Sequence, residues 1–368
     1  MDRAVQCAAN PSISASIFVK TLKKCTPNSI YFKKAETFRV IYYFIFIKKA
    51  RKSNFVSKLV EIRSMLPEIY RHIALNVLES YKRWYIVEHR DRAGGWKHAK
   101  LSGHSNEALV KTLLDTDKVY LQSLLERMGY GNEIVVETSI GGLHETNVPS
   151  VIGNKTKSKT DLKIKCQSGR EINVSIKKSL GGQVYFVRAG LFIEVFEKQF
   201  GKKIPNDVVR AIELFWAAAE DAPEIIEQYA DKNDKKSYTL QVRHKSLNAT
   251  TLKNYDSDLY NALLNWFKDN AYELAKISFT MGAARDKSEW SEFVWYINLL
   301  GENDVDEIFH IDDICNAVCD VADTETFYGS SNGGTTIQLP FGFVQWHQAQ
   351  LQFHHNFDKV SSLLKEEL

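Results

Sequence analysis

Hydrophobic and polar residues alternate most cleanly between Asp161 and Ser179. Two runs, DLKIKC (161–166) and EINVSIKKS (171–179), are joined by Gln167-Ser168-Gly169-Arg170. Period-two alternation in β-branched residues, with a glycine in the joint, predicts a hairpin. On its second strand Glu171, Asn173, Ser175 and Lys177 share one face, and Ile172, Val174 and Ile176 share the other, because successive side chains point to opposite sides.

Helical spacing surrounds the hairpin. Residues 66–87 put Ile69, Ile73, Val77 and Leu78 on one side and predict a helix. After Ala93-Gly94-Gly95, a second helix is predicted from a Ser105 cap through Met128 to Gly131. A strand over 133–140, a turn at Gly141-Gly142 and a short strand over 183–187 follow the same logic. Residues 189–200 predict a helix that Gly201 ends, with Leu191, Phe192, Val195 and Phe196 as its core face. Further helices are predicted at 205–230, 256–277 and near 303–322. The tail returns to strands at 335–339, 343–347 and 350–354. This order predicts an α/β protein of mixed α+β type. A central mixed sheet is flanked by helices, the hairpin lies in its middle, and the C-terminal lobe is β-rich.

Residues 1–64 read differently. They lack acidic residues between Asp2 and Glu36 and contain the run VIYYFIFIKKARK. Two readings stand: a basic DNA-contacting arm, or an extension upstream of a natural start at Met65, with the second preferred. Residues 65–368 are expected to form the working domain, with a core at 105–200 and a helical, β-rich recognition part at 201–368.

Composition adds little: 44% hydrophobic and 25% charged residues in a chain of 368 describe an ordinary globular protein. A net charge of +3 means that attraction to a polyanion must come from local patches. Lys155, Lys157, Lys159, Lys163 and Lys165 crowd the hairpin, and Lys177 and Lys178 end it. Such a run is either a solvated loop or a phosphate-facing surface. The five cysteines include no CxxC pair, which predicts a reduced, cytoplasmic chain. The apolar run Val40–Ile47 is too short to cross a bilayer, which takes roughly 20 residues.

The chemistry lies in the hairpin. A carboxylate on one strand, with a polar residue and a lysine two apart on its neighbour, can hold a hard cation against a phosphodiester. Asp161, thirteen intervening residues, Ser175, one residue and Lys177 make that pattern. The arrangement resembles the PD-(D/E)xK nuclease superfamily, in the manner of type II restriction endonucleases. The run NVSIKKS looks like the strand carrying the lysine in those enzymes. The tail TTIQLPFGFVQWHQAQLQFHH also has their look.

The resemblance implies a restriction-endonuclease-like core that cuts double-stranded DNA with Mg²⁺ and leaves a 5′ phosphate. Asp161 is then a metal-binding carboxylate, and Lys177 stands by the attacking water and the scissile phosphate. Ser175 takes the slot usually held by Glu or Asp. The missing acid is then sought in a following helix, at Glu194 or Glu197, or at Glu171 on the same strand face. Glu107 is another candidate, although a place in the first turn of its helix would explain it by dipole alone. Asp161, Ile176 and Glu107 make up the expected metal set. Lys157, Lys159, Lys178 and Gln183 are expected near phosphate. Gln345 and His347, with Gln348, Gln350, Gln352, Arg243, His244 and Lys245 as further candidates, are expected near base edges.

The implied partners are duplex DNA, a second copy of the chain and a DNA methyltransferase encoded elsewhere; the implied setting is the prokaryotic cytosol. A structure-selective repair or mobile-element nuclease, and a DNA-binding protein with a decayed site, are the competing accounts. His347, His354 and His355 have no zinc spacing. Ser175–Lys178 matches SxxK, but that motif needs a helix where this segment predicts a strand.

Overall fold

The computed structural model describes residues 92–141, 147–301 and 303–365, with side chains from residue 103. Residues 1–64, the start at Met65, the helix over 66–87 and Gly142 of the predicted turn therefore lie outside the described residues.

Helices α1 (Arg92–Thr116) and α2 (Lys118–Arg127) replace the single helix predicted from Ser105. Asp117 separates them by accepting from the Tyr120 N–H at 2.9 Å, an N-cap that a continuous pattern hides. Strand β1 (Val135–Ile140) follows, then the small hairpin β2 (Asn147–Pro149) and β3 (Lys155–Lys157). The hairpin read from the alternation is β4 (Leu162–Cys166) and β5 (Glu171–Lys177). Gly169, at φ +88°, supplies the left-handed residue of its turn, which Cys166 N–H to Arg170 O closes at 2.9 Å.

Strand β6 (Gly181–Arg188) leads into α3 (Ala189–Phe200), as predicted, although Leu191 is 40% exposed and leaves the core face to Phe192, Val195 and Phe196. A helical stretch comes next: α4 (Asn206–Phe215), α5 (Ala222–Tyr229), α6 (Lys235–His244), α7 (Ala249–Tyr255), α8 (Ser257–Asp269) and α9 (Ala271–Lys276), with a π-turn at Ile277–Met281. Strands β7 (Phe293–Ile297) and β8 (Asp306–His310) precede α10 (Ile311–Glu325). The helix predicted near 303–322 thus opens with a strand. The tail holds β9 (Phe327–Tyr328), β10 (Thr336–Leu339), β11 (Gly342–Trp346), β12 (Gln350–Asn356) and α11 (Phe357–Lys365).

Two five-stranded sheets result. The first has the order β1-β4-β5-β7-β8, antiparallel throughout except for the parallel β5–β7 pair. The second, β6-β12-β11-β10-β9, is fully antiparallel. The fold class is therefore mixed α/β, with a mixed sheet flanked by helices and a sheet-rich C-terminal region. The first sheet takes β7 and β8 from beyond the 105–200 span expected to hold the core, while β6 of that span joins the second sheet.

Burial follows the pleat. Ile172, Val174 and Ile176 pack with Leu162, Ile164 and Trp295 against Val110, Leu114, Leu121 and Leu124 of α1 and α2. On the opposite face Val294 and Tyr296 enter the larger core that also holds Phe353, Val344 and Phe192. Strand β7 reads FVWYI and is buried at all five positions, because it is covered on both faces.

Candidate active site

The hairpin register sets Asp161 opposite Ser175. Asp161 precedes β4, and its own N–H is held by Val174 O at 3.0 Å, which fixes the main chain where its side chain departs. Asp161 Oδ2 accepts from Ser175 Oγ at 3.0 Å and from the Ile176 N–H at 2.8 Å. Lys177 Nζ donates to the same Ser175 Oγ at 2.7 Å. One hydroxyl thus gives a proton to the carboxylate and accepts one from the ammonium. Ser175 is 2% exposed, while Asp161 and Lys177 are half-buried. The carboxylate and the ammonium are therefore bridged by one hydroxyl on a central strand.

Glu107 is an acid whose charge couples to that of Asp161. Helix α1 begins at Arg92, so Glu107 stands in mid-helix and the first-turn dipole account does not apply. Burial holds its pKa above the ordinary carboxylate range, and the Asp161 charge adds to the rise. His104, whose Nδ1 lies 3.3 Å from Glu107 Oε2, and the Lys177 charge pull the other way. Glu107 thus stands within electrostatic reach of Asp161 and Lys177. Two acids sharing a partly buried place in this way suit a cation.

Asn106, which the sequence reading passed over, fixes that stretch of helix. It is fully buried, donates to Ile297 O at 2.9 Å and accepts from Leu299 N–H at 2.8 Å. The clamp ties α1 to the end of β7, the strand paired in parallel with β5. A polar residue among apolar helix positions was the one signal in the chain.

The other expected acids go elsewhere. Glu194 is exposed on α3 in an i,i+4 pair with Lys198 at 3.8 Å, and Glu197 pairs with Lys203. Their helix follows β6 of the second sheet. Glu171 faces Lys163 at 3.3 Å.

The lysine run also divides. Lys163 is shared between Glu171 and Glu289, and Lys165 pairs with Glu137 at 3.4 Å. Lys159 is a correction to the phosphate-facing reading, because its ammonium is fully enclosed even though the residue as a whole keeps some exposure. It donates to Val184 O at 2.5 Å and Ser278 O at 2.9 Å and lies over the Tyr185 ring at 4.9 Å. Lys155 and Lys157 are exposed on β3, and Lys178 is half-buried just past β5. The face of β5 that carries Asn173, Ser175 and Lys177 is largely covered: Asn173 is 7% exposed and donates to Ser288 O and Trp290 O.

Lys177 pairs in register with Tyr296 of β7. The Tyr296 hydroxyl lies 3.1 Å from Nδ1 of His355 on β12, so the two sheets meet beside the lysine. Burial, then the Lys177 charge, push the His355 pKa down to about 3, which keeps that ring neutral at physiological pH.

The second sheet turns amides outward. Gln352 Nε2 donates to Gln183 Oε1 at 2.8 Å, and Gln345 Nε2 donates to Gln352 Oε1 at 2.9 Å. His354 stacks on Phe343 with centroids 4.5 Å apart, and Phe186 leans on His347 at 6.3 Å. Gln183, Gln345 and His347 therefore share one surface.

Among the described residues, no three of His, Cys, Asp and Glu gather as a metal site, and no helix is long and apolar enough to cross a membrane. No family model and no curated protein matches the chain. Among solved structures, the restriction endonuclease MspI in complex with its cognate DNA aligns with a TM-score of 0.32 and 12% identity, over 83% of this chain and 100% of that chain. A score that low adds nothing to the geometry, and the chemical reading rests on Asp161, Ser175, Lys177 and Glu107.

Proposed function

We propose that this chain is a Mg²⁺-dependent endonuclease hydrolysing phosphodiester bonds of double-stranded DNA, sequence-specific in the manner of type II restriction enzymes. The observation that carries the proposal is the connected Asp161–Ser175–Lys177 cluster with Glu107 in electrostatic reach. Mg²⁺ takes oxygen ligands and keeps several waters, so one or two carboxylates suffice. Asp161 and Glu107, with the main chain at Ile176, fit that donor set. When bound, the ion supplies positive charge to the phosphate and acidifies water.

The remaining work belongs to the protein. Lys177 has three N–H donors, and Ser175 takes one. The others face developing charge on a phosphate oxygen or orient the attacking water. Ser175 stands in the usual acid's place as a spacer, which holds the ammonium near Asp161 without adding a second negative charge. Base reading falls to the amide face of the second sheet, at Gln183, Gln345 and His347, because glutamine can pair with base edges. A homodimer suits a palindromic site. A host carrying such an enzyme needs a protecting methyltransferase, encoded separately.

Supercoiled plasmid with Mg²⁺ tests this. Discrete fragments support site-specific cleavage, random nicking supports a structure-selective nuclease, and a gel shift without cutting supports a decayed DNA-binding protein. Asp161→Ala and Lys177→Ala are each expected to abolish cutting with circular dichroism unchanged. Full activity in either variant refutes the assignment.

A further inference from the structure

Helix α6 (Lys235–His244) is polar on both sides. Its inner side holds the buried Ser237 and Gln241, which hydrogen bonds fasten in place of apolar packing. Ser237 Oγ donates to Asn332 O at 3.1 Å, and Gln241 Oε1 accepts from the Asn248 N–H at 3.1 Å. The His244 ring stacks on Trp346 of β11 with centroids 3.9 Å apart. A helix attached in this way adds little to the core.

The outer side is cationic. With 3.6 residues per turn, Lys235, Lys236, Thr239, Val242 and Arg243 fall within one outward arc of about 120°. All five are exposed, as is Lys245 at the C-cap. Among the described residues, none of Lys235, Lys236, Arg243 and Lys245 has an acidic partner. Cations elsewhere do: Lys232 pairs with Glu227, Arg210 with Asp221 and Lys203 with Glu197. The acid nearest in sequence, Asp234, is taken up as the N-cap, accepting from the Ser237 N–H at 3.0 Å.

The helix dipole accounts for Arg243 and Lys245 at the C-terminal end. It opposes Lys235 and Lys236, which occupy the first turn, where α4, α8 and α10 place Asp207, Asp258 and Asp312. A polyanion lying against the helix accounts for both ends. The spacing selects which polyanion. Lys235 and Arg243 are separated by about 12 Å along the axis. The major groove of a duplex is about 12 Å wide and admits an α-helix.

We propose that α6 crosses the major groove of duplex DNA, with Lys235 and Lys236 on one phosphate ridge and Arg243 and Lys245 on the other. Thr239 and Val242 then face the base edges, where their methyl groups suit the methyl of thymine. The inference deepens the nuclease reading by naming an element that holds the substrate. It adjoins the amide face, because Gln345 lines the same small cavity as Leu240, Gln241 and His244.

The full chain, kept in EDTA so that nothing is cut, is titrated by anisotropy with a duplex across a range of salt. The double variant Lys236→Gln, Arg243→Gln is expected to lower the slope of log affinity against log salt by about two. Its binding at 0.1 M salt should weaken by more than about tenfold. Lys198→Gln on α3, which removes a paired lysine, is the control and should change neither. A second duplex carries bulky 5-substituents on its pyrimidines, which fill the major groove. On that duplex the native chain should bind as weakly as the double variant. An unchanged salt slope overturns the proposal. An equal loss on both duplexes also overturns it, since the cations then touch only the outer backbone, and so does an equal loss on polyglutamate, which marks a general anion patch. If the chain binds duplex through α6 but never cuts it with Mg²⁺, the nuclease reading fails and this one stands. Cleavage together with an unchanged slope fails this one alone.

Discussion

Lys159→Met tests whether the lysines before the hairpin meet phosphate or hold the fold. Enclosure of the ammonium, then the Lys177 charge, bring the Lys159 pKa from 10.5 down to about 7. Keeping the charged form inside therefore costs about 5 kcal/mol. The ammonium is wholly enclosed, so solvent screening does not reduce that cost. The unfolded chain holds this proton up to its ordinary pKa, while the folded chain releases it near 7. Across that window the unfolded state binds more protons, so stability rises with pH. Between about pH 7 and pH 9 this single group adds about 2 kcal/mol. Methionine fills the stem without donors and leaves the Val184 and Ser278 carbonyls short of a partner, at about 1–3 kcal/mol each. The variant should therefore be less stable than the native chain at pH 9, with the gap closing as pH falls. Urea midpoints followed by tryptophan fluorescence across this range measure both curves. Parallel curves for the two proteins would refute the reasoning. A phosphate-facing lysine would instead leave stability alone and flatten the salt dependence of DNA binding.

Two further substitutions probe the site. Glu107 carries a raised pKa, so its contribution to stability is complete below the ordinary carboxylate value and is lost as pH rises through the raised one. Glu107→Gln should therefore stabilise the metal-free protein at neutral pH and reduce the rise in melting temperature that Mg²⁺ produces; an unchanged Mg²⁺ response removes Glu107 from the metal set. Asn106→Ala strips partners from Ile297 O and Leu299 N–H, at a cost of about 2–4 kcal/mol by chemical denaturation. The same variant should raise the Mg²⁺ concentration needed for half-maximal cleavage, and a stability loss without that shift would make Asn106 a structural residue only.

Much of the fold could be read along the chain, for a local reason. Alternation over 161–179 determined which side chains share a face, and so determined that Asp161, Ser175 and Lys177 could meet. The periodicity of 189–200 likewise marked a helix. Strand β7 escaped notice because five consecutive apolar residues carry no period. Its role depends on a parallel pairing with β5, more than a hundred residues earlier.

The acids followed the same division. Sequence spacing made Glu194 the natural substitute for the missing strand acid, since it lies on the helix after the hairpin. Tertiary structure set that helix after a strand of the second sheet and left Glu107 within electrostatic reach of Asp161, on a helix that Asn106 clamps to the end of β7. The lysine run looked uniform because charge patterning cannot show where an ammonium ends. Packing enclosed Lys159 between β6 and the π-turn and gave Lys163 and Lys165 to glutamates. What the sequence by itself determined was pairing within a few residues of a turn, where the backbone's period of two fixes direction. What only the tertiary structure decided was which distant elements close over that hairpin, because burial and charge are properties of neighbours that the chain brings together late.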